Sequence, residues 1–428
     1  MMYTSVEELL NFVNNSTSPW HTVETAADML SKESFQELDW RSKWEKGLKG
    51  RFFTKIYGSS LIAFTLGENE GRLRISAAHT DFPGFRIKPK AGIIKEGYGM
   101  LNIEGYGGMI LSTWLDRPLS MAGKIVLRGE NVFAPEVRLV DFARPLMTIP
   151  SLAIHMNRKV NDGVELNKQK HMLPLTSVLG KLGEKSFFDD FLANELGVNA
   201  KDILSYELNV YPFESSCQLG LAGELVSAGR LDNITSCVAC LKGIVNADIS
   251  CGTNGTNVAV LFDNEEIGSR TKQGAASAVL MQFLERIYKL QEKDNEELWQ
   301  DIANGFMLSV DVAHGVHPNY SEKADPTCRP VLNGGVVLKE AASQSYAGDA
   351  EAVAVIGELC NVNNIPYQHF VNRSDSPGGS TLGSIASALV PIRTMDIGLP
   401  ILAMHSARET MGAADQDAIN NLLIEFYH

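Results

Sequence analysis

The chain has 428 residues, 44% of them hydrophobic and 21% charged, and a formal net charge of −13. This is the composition of a soluble globular protein, and its length exceeds one ordinary core, so two domains are expected. The acidic balance argues against nucleic acid or an anionic membrane surface as the main partner.

The N-terminus, MMYTSVEELLNFVNNS, lacks the basic and apolar regions of a signal peptide, and no stretch is long enough to span a bilayer. Six cysteines in a chain this long do not suggest a disulfide framework, and a cytoplasmic location is expected. Ser5 and Glu8 have capping-box spacing before LLNFV, and Ser18-Pro19-Trp20 precedes a second helical pattern, TVETAADML. FFTKIYG, SLIAFTLG and RLRISAAHTD then read as strands. Beyond about residue 92 glycines become dense and short strands alternate with turns as far as Gly229, interrupted by one helical segment, FFDDFLANELG.

From Arg230 the pattern is α/β. A helix over 232–246 leads to a strand over 257–262, a helix over 271–290 and a strand over 305–312. A helix over 349–362, a strand over 366–371, a helix over 379–389, strands over 391–396 and 400–404 and a final helix from about 412 follow. Apolar strands alternating with helices predict a sheet covered on both faces. Residues 1–92 and 230–428 are expected to form one domain, with 93–229 inserted as a β-rich module. Cys237 and Cys240 form a C-x-x-C without a second pair, and with Ile234, Leu241 and Ile244 they fit one apolar helix face.

Potential metal ligands cluster by position. His79 and Asp81 follow the strand RISAA, Glu265 and Glu266 follow VAVLF, Asp311 follows FMLSV, and His405 follows ILAM. Asp232 lies in GRLDN at a helix start, where it could equally be an N-cap. The other four segments end predicted strands, the edge at which open α/β sheets place ligands and catalytic groups. Each residue alone has an ordinary loop reading. Together, two imidazoles and several carboxylates match a hydrolytic two-metal site that accepts zinc, with cobalt or manganese as alternatives. Such a site needs one carboxylate bridging the ions and another, outside the ligand set, to move the proton of the attacking water. His79 and Asp81, at i and i+2, suit a ligand and the residue that orients it. Adjacent glutamates can divide the remaining work, because consecutive side chains diverge.

The segments AAHTDFPGFRIKP, NIEGYGGMILSTWLDRPLSMAGKI, SLAIHMNRKVNDG, GRLDN, DNEEIGSRTKQGA, SVDVAHGVHPNY, GGVVLKEAASQSYAGDA and IRTMDIGLPILAMHSARET extend over most of the chain. In this order the sequence resembles the aspartyl aminopeptidases, dinuclear zinc exopeptidases that assemble as tetrahedral dodecamers. The resemblance implies a zinc-exopeptidase-like αβα sandwich with an inserted β-rich dimerisation or lid domain. It implies two divalent ions per subunit, with Asp232 bridging, His79 and Asp311 on one ion, and Glu266 and His405 on the other. Glu265 would be the general acid/base and Asp81 would orient His79. His155 would reach a neighbouring subunit's site, making a dimer the smallest complete unit. Lys339 would lie near the substrate pocket, together with His317, for which a turn-stabilising hydrogen bond is the alternative.

The substrates implied are peptides with a free N-terminus, with Asp or Glu as the preferred first residue. Two departures bear on that preference: QSYAGD replaces an arginine-containing Q-R-Y segment, and RSDSPGGSTLGS lacks the cysteine usual before its glycine. The alternatives are a related tetrahedral aminopeptidase with a neutral or hydrophobic preference and an inactive metal-binding assembly protein. Retention of Glu265, which would not be a ligand, argues against the latter.

Overall fold

A computed structural model describes residues 4–67, 73–180, 184, 186–247, 255–376 and 378–428. Pro377, within the RSDSPGGSTLGS departure, lies outside the described residues. The contacts divide the chain into two units: Met1–Asp81 with Ser216–Met404 and Glu409–His428, and Phe82–Ser215 with His405–Arg408. The expected break at residue 92 falls inside the strand Gly84–Lys95, and His405–Arg408 leaves the first unit for four residues.

The first unit is a mixed α/β structure around a nine-stranded sheet. At its centre the strands Thr256–Phe262, Leu73–His79, Phe306–Val310 and Arg393–Gly398 run parallel, in that spatial order. Their side chains alternate between two cores. Val258, Val260 and Phe262 face the helices Val279–Leu290, Asn295–Asn304 and Leu382–Leu389. Ala259 and Leu261 face the other layer, which contains Pro19–Lys32, Leu231–Asn246 and Ala413–Tyr427. A strand buried on both faces must be apolar at consecutive positions, which is why VAVLF, residues 258–262, reads as a continuous hydrophobic run. Ser18 caps Pro19–Lys32 as expected, its hydroxyl accepting from the His21 N–H with Pro19 at the first helical position.

The helix expected over 271–290 begins only at Val279. Residues 271–273 are drawn into the preceding loop instead: the Thr271 hydroxyl donates to Asn264 Oδ1 at 2.8 Å, and the Gln273 carbonyl accepts from Asp263 N–H at 3.3 Å and Ser60 Oγ at 2.8 Å. The strand Val336–Glu340 and the helix Asn295–Asn304 were not expected, although Asp294 and Glu297 form a complete capping box.

The second unit holds a six-stranded sheet in the order Ala134–Asp141, Leu119–Asn131, Ile203–Pro212, Gly84–Lys95, Tyr98–Tyr106, Leu175–Val178, every pair antiparallel. Its own core includes Phe85, Trp114, Phe188 and Leu208. Among the described residues no helix is long and apolar enough to cross a membrane. Cys237 and Cys240 are buried in the core, and all five described cysteines are free thiols.

Candidate metal centre

The parallel strands deliver their carboxyl ends to one edge of the sheet. Phe262 pairs with His79, and Ser309 with Ala77, so Asp311 comes level with His79 just beyond the last paired residues. Gly398 lets the next strand pass: a Cβ there would lie 1.6 Å from the Asp311 carbonyl oxygen. The Asp311 N–H donates to Ile397 O at 2.9 Å, fixing the backbone from which its carboxylate projects.

His79 is buried at the centre. Its Nδ1 donates to the Asp81 main-chain carbonyl at 3.0 Å, while the Asp81 carboxylate lies 3.4 Å away. A carbonyl can only accept, so Nδ1 carries a proton and Nε2 is the nitrogen turned to the other carboxylates. Nε2 lies 3.5 Å from Asp232 Oδ1, 3.6 Å from Asp311 Oδ1 and 4.0 Å from Glu265 Oε2. Two triplets share this histidine, His79–Asp232–Asp311 and His79–Glu265–Glu266, each offering ligand atoms within 4.8 Å of one another.

Asp232 is not a helix N-cap. Arg230 occupies that position in the left-handed region with φ of 63°, and Asp232 and Asn233, joined by a cis peptide, have non-helical dihedrals at the start of Leu231–Asn246. The Asp232 N–H donates to Glu409 Oε2 at 3.1 Å, and Asn233 Nδ2 donates to Val310 O at 2.9 Å. These bonds hold the first residues of the helix against the ends of neighbouring strands.

Glu265 and Glu266 occupy a short 3₁₀ turn, Glu265–Ile267, flanked by Asn264 and Gly268 in left-handed conformations. Their N–H groups donate to the two carboxylate oxygens of Asp81, at 3.1 and 3.2 Å. Asp81 therefore holds the turn that carries both glutamates as well as lying beside His79.

The electrostatics are those of a crowded anionic pocket. Burial first, and then Asp232 among its neighbours, pushes Glu266 well above the usual carboxylate range. Burial likewise carries Glu265 to about 8, against the pull of His79 and with Asp311, Asp81 and Asp232 adding to it. Burial works in the same direction on Asp311, but the Lys339 ammonium and His79 outweigh it and hold that carboxyl at about 2. Burial would lower His79; its bonds to Asp311 and Asp81 and the charge of Glu265 raise it well above the ordinary value. Several buried carboxylates around one imidazole call for compensating positive charge, and imidazole with carboxylate oxygen is a donor set that fits zinc.

The remaining expected residues are placed as follows. His405 belongs to the second unit, where its Nδ1 donates to Gly108 O at 2.5 Å. His155 is exposed in the second unit, between the exposed Ile154 and Met156. Lys339 is only 2% exposed; its Nζ donates to Val312 O at 3.2 Å and lies 3.9 Å from Asp311 Oδ2. His317 Nδ1 accepts from the Asn319 N–H at 3.2 Å, a turn-stabilising bond, and lines a cavity of about 370 Å³ with His314 and Arg373. Two supporting groups were not anticipated. Glu409 anchors Asp232, and Cys237 Sγ donates to the His79 carbonyl at 3.0 Å. Glu409, an acid in the otherwise weakly polar run ETMGAA, carried a faint signal, whereas Cys237 was legible only as core.

A parallel sheet edge bearing buried histidine and carboxylates is an arrangement able to hold metal ions, and solved structures share the fold. The Ape4 of an Ape4–Nbr1 complex matches with a TM-score of 0.94 at 32% identity, over 99% of this chain and 85% of that one. The mApe1 of an S. cerevisiae dodecamer matches with a TM-score of 0.84 at 25% identity, over 98% and 95%. A Clostridium acetobutylicum protein named as a probable M18 family aminopeptidase 2 is 43% identical over 99% of this chain and 98% of its own length. The model of the M18 family, the aminopeptidase I zinc metalloproteases, matches residues 12–427, and the chain belongs to that family. Its fold is accordingly zinc-exopeptidase-like.

Proposed function

We propose that the protein removes single residues from the free N-terminus of peptides with two divalent metal ions, zinc in the first instance. The observation that carries this reading is the triplet of buried His79, Asp232 and Asp311 at the sheet edge, with Glu266 close to His79 beside it. In the proposed assignment Asp232 bridges, His79 and Asp311 serve one ion, and Glu266 and His405 the other. The place of His405 follows the resemblance and the tautomer that its Gly108 bond selects.

When bound, the ions supply Lewis acidity toward the scissile carbonyl and the attacking water. The chain's own residues do the rest. Glu265, a carboxylate at the same edge with no assigned ion, takes the proton of the water and returns it to the leaving amine. Asp81 keeps Glu265 in reach through the main-chain bonds of the 3₁₀ turn. His155, exposed in the second unit, serves a neighbouring subunit's site, so a dimer is the catalytic building block and a dodecamer its assembly. A cytoplasmic location completes this reading.

For the first residue of the substrate, Lys339 is the cation that would select Asp or Glu. Its ammonium is already engaged by Asp311 and the Val312 carbonyl, and Ser345 stands where the resemblance expects arginine. Both observations favour a neutral or apolar N-terminal residue. Purified protein loaded with zinc, cobalt or manganese should release the first residue of leucyl and alanyl substrates faster than that of aspartyl and glutamyl ones. The reverse order would restore the acidic preference, and no release from any substrate would defeat the aminopeptidase reading.

A further inference from the structure

Asp396 lies within the strand Arg393–Gly398, is fully buried and belongs to none of the triplets. Strand and loop are locked there at two points: the Asp396 N–H donates to Ala347 O at 2.8 Å, and the Ala347 N–H donates to Asp396 Oδ2. The helix Leu382–Leu389 also closes on this carboxylate. A Cβ on Gly383 would lie 2.6 Å from Oδ2, so only glycine permits that approach. Thr381, just before that helix, donates its N–H to Ser345 O at 3.2 Å, a second tie on the same loop.

The loop residue next to Ala347 is Tyr346, buried against Phe370 with ring centroids 6.1 Å apart. The Lys339 ammonium sits 5.0 Å from the Tyr346 ring centroid, within cation–π range. Lys339 in turn bonds Val312 O and approaches Asp311 Oδ2 at 3.9 Å. Contacts therefore run without a gap from Asp396 through Ala347, Tyr346 and Lys339 to Asp311.

We propose that Asp396 is a positioning residue for the metal centre: by clamping Ala347 it holds Tyr346 over Lys339, and this keeps Lys339 against Asp311. A buried carboxylate is costly in a sheet interior, and burial does push the Asp396 carboxyl up, with Lys339 the largest opposing influence. A neutral side chain would pack there more cheaply, so the charge has its use in fixing the loop and the ammonium. The inference rests on the proposed role of Asp311 as a ligand.

The test is zinc affinity, measured on the full-length protein by competition with a chromophoric chelator, alongside thermal melting of the metal-free form. Asp396→Asn and Tyr346→Leu should each weaken the binding of one zinc ion by about 10–100-fold, the range for residues that orient ligands. Asp396→Asn should add nothing further in a Lys339→Met background, because both act through the same ammonium. Unchanged zinc affinity with a lowered metal-free melting temperature would overturn the inference, as would fully additive losses. If Asp396→Asn does not fold, Tyr346→Leu decides by the same criterion. If the parent protein binds no zinc, the ligand assignment fails instead.

Discussion

The Asp81 carboxylate accepts the main-chain N–H of Glu265 at 3.1 Å, and its second oxygen accepts that of Glu266 at 3.2 Å. One buried acid therefore sets the turn on which both glutamates ride, while its carbonyl fixes the tautomer of His79. Asp81→Asn keeps the shape but offers only one acceptor oxygen, setting an amide N–H₂ against a backbone donor. Turnover should fall by about 10–100-fold, with weakened metal binding, as for other residues that orient ligands. Steady-state kinetics with metal analysis on the same sample checks this; an unaltered variant would reduce Asp81 to packing.

Stability of the metal-free protein should depend on pH with a definite sign. Burial raises Glu265 from 4.5 to about 8, and raises Asp415 from 3.8 to about 7 against the N–H groups of Asn333, Gly335 and Gly412. The native state thus keeps protons that the unfolded chain has already released. That contribution is complete below the unfolded values and is lost as pH rises through the folded ones. His79, raised by its carboxylate partners, acts in the same direction. The melting temperature in chelator should therefore fall between about pH 5 and pH 8, and zinc should restore it at the alkaline end. A melting temperature that climbs over this range would contradict the charge distribution described.

The strand ends were legible because buried parallel strands must be apolar at consecutive positions, so His79, the Glu265–Glu266 pair and Asp311 stood out as polar residues terminating such runs. The helix expected at 271 was not, since Thr271 bonds Asn264 in the loop before it and the Gln273 carbonyl accepts from Ser60, 213 residues away in sequence. Nor did any local pattern reveal that Asp81 would bond backbone some 184 residues away, or that Lys339 would turn inward to Asp311. Periodicity records which face is buried; it does not record which polar atoms meet there.

His155 gives a test of subunit sharing. The surrounding segment is exposed, including Leu152 at 55% and Met156 at 71%, more apolar surface than an isolated loop usually leaves in water. His155→Ala and Glu265→Gln proteins, each inactive alone, should regain activity when mixed under conditions that exchange subunits. One hybrid site would then hold both intact groups. Exchange without any recovered activity would assign His155 to its own chain's site or to none.

The division of labour between Glu265 and Glu266 is the centre of the account, and turnover and metal content of Glu265→Gln measured on one sample test it most directly. Loss of general acid–base help should lower kcat by about 10²–10⁴-fold while the bound metal stays at the parent level. Loss of metal with the activity would show that the two glutamates have each other's roles, and full activity would remove Glu265 from the reaction.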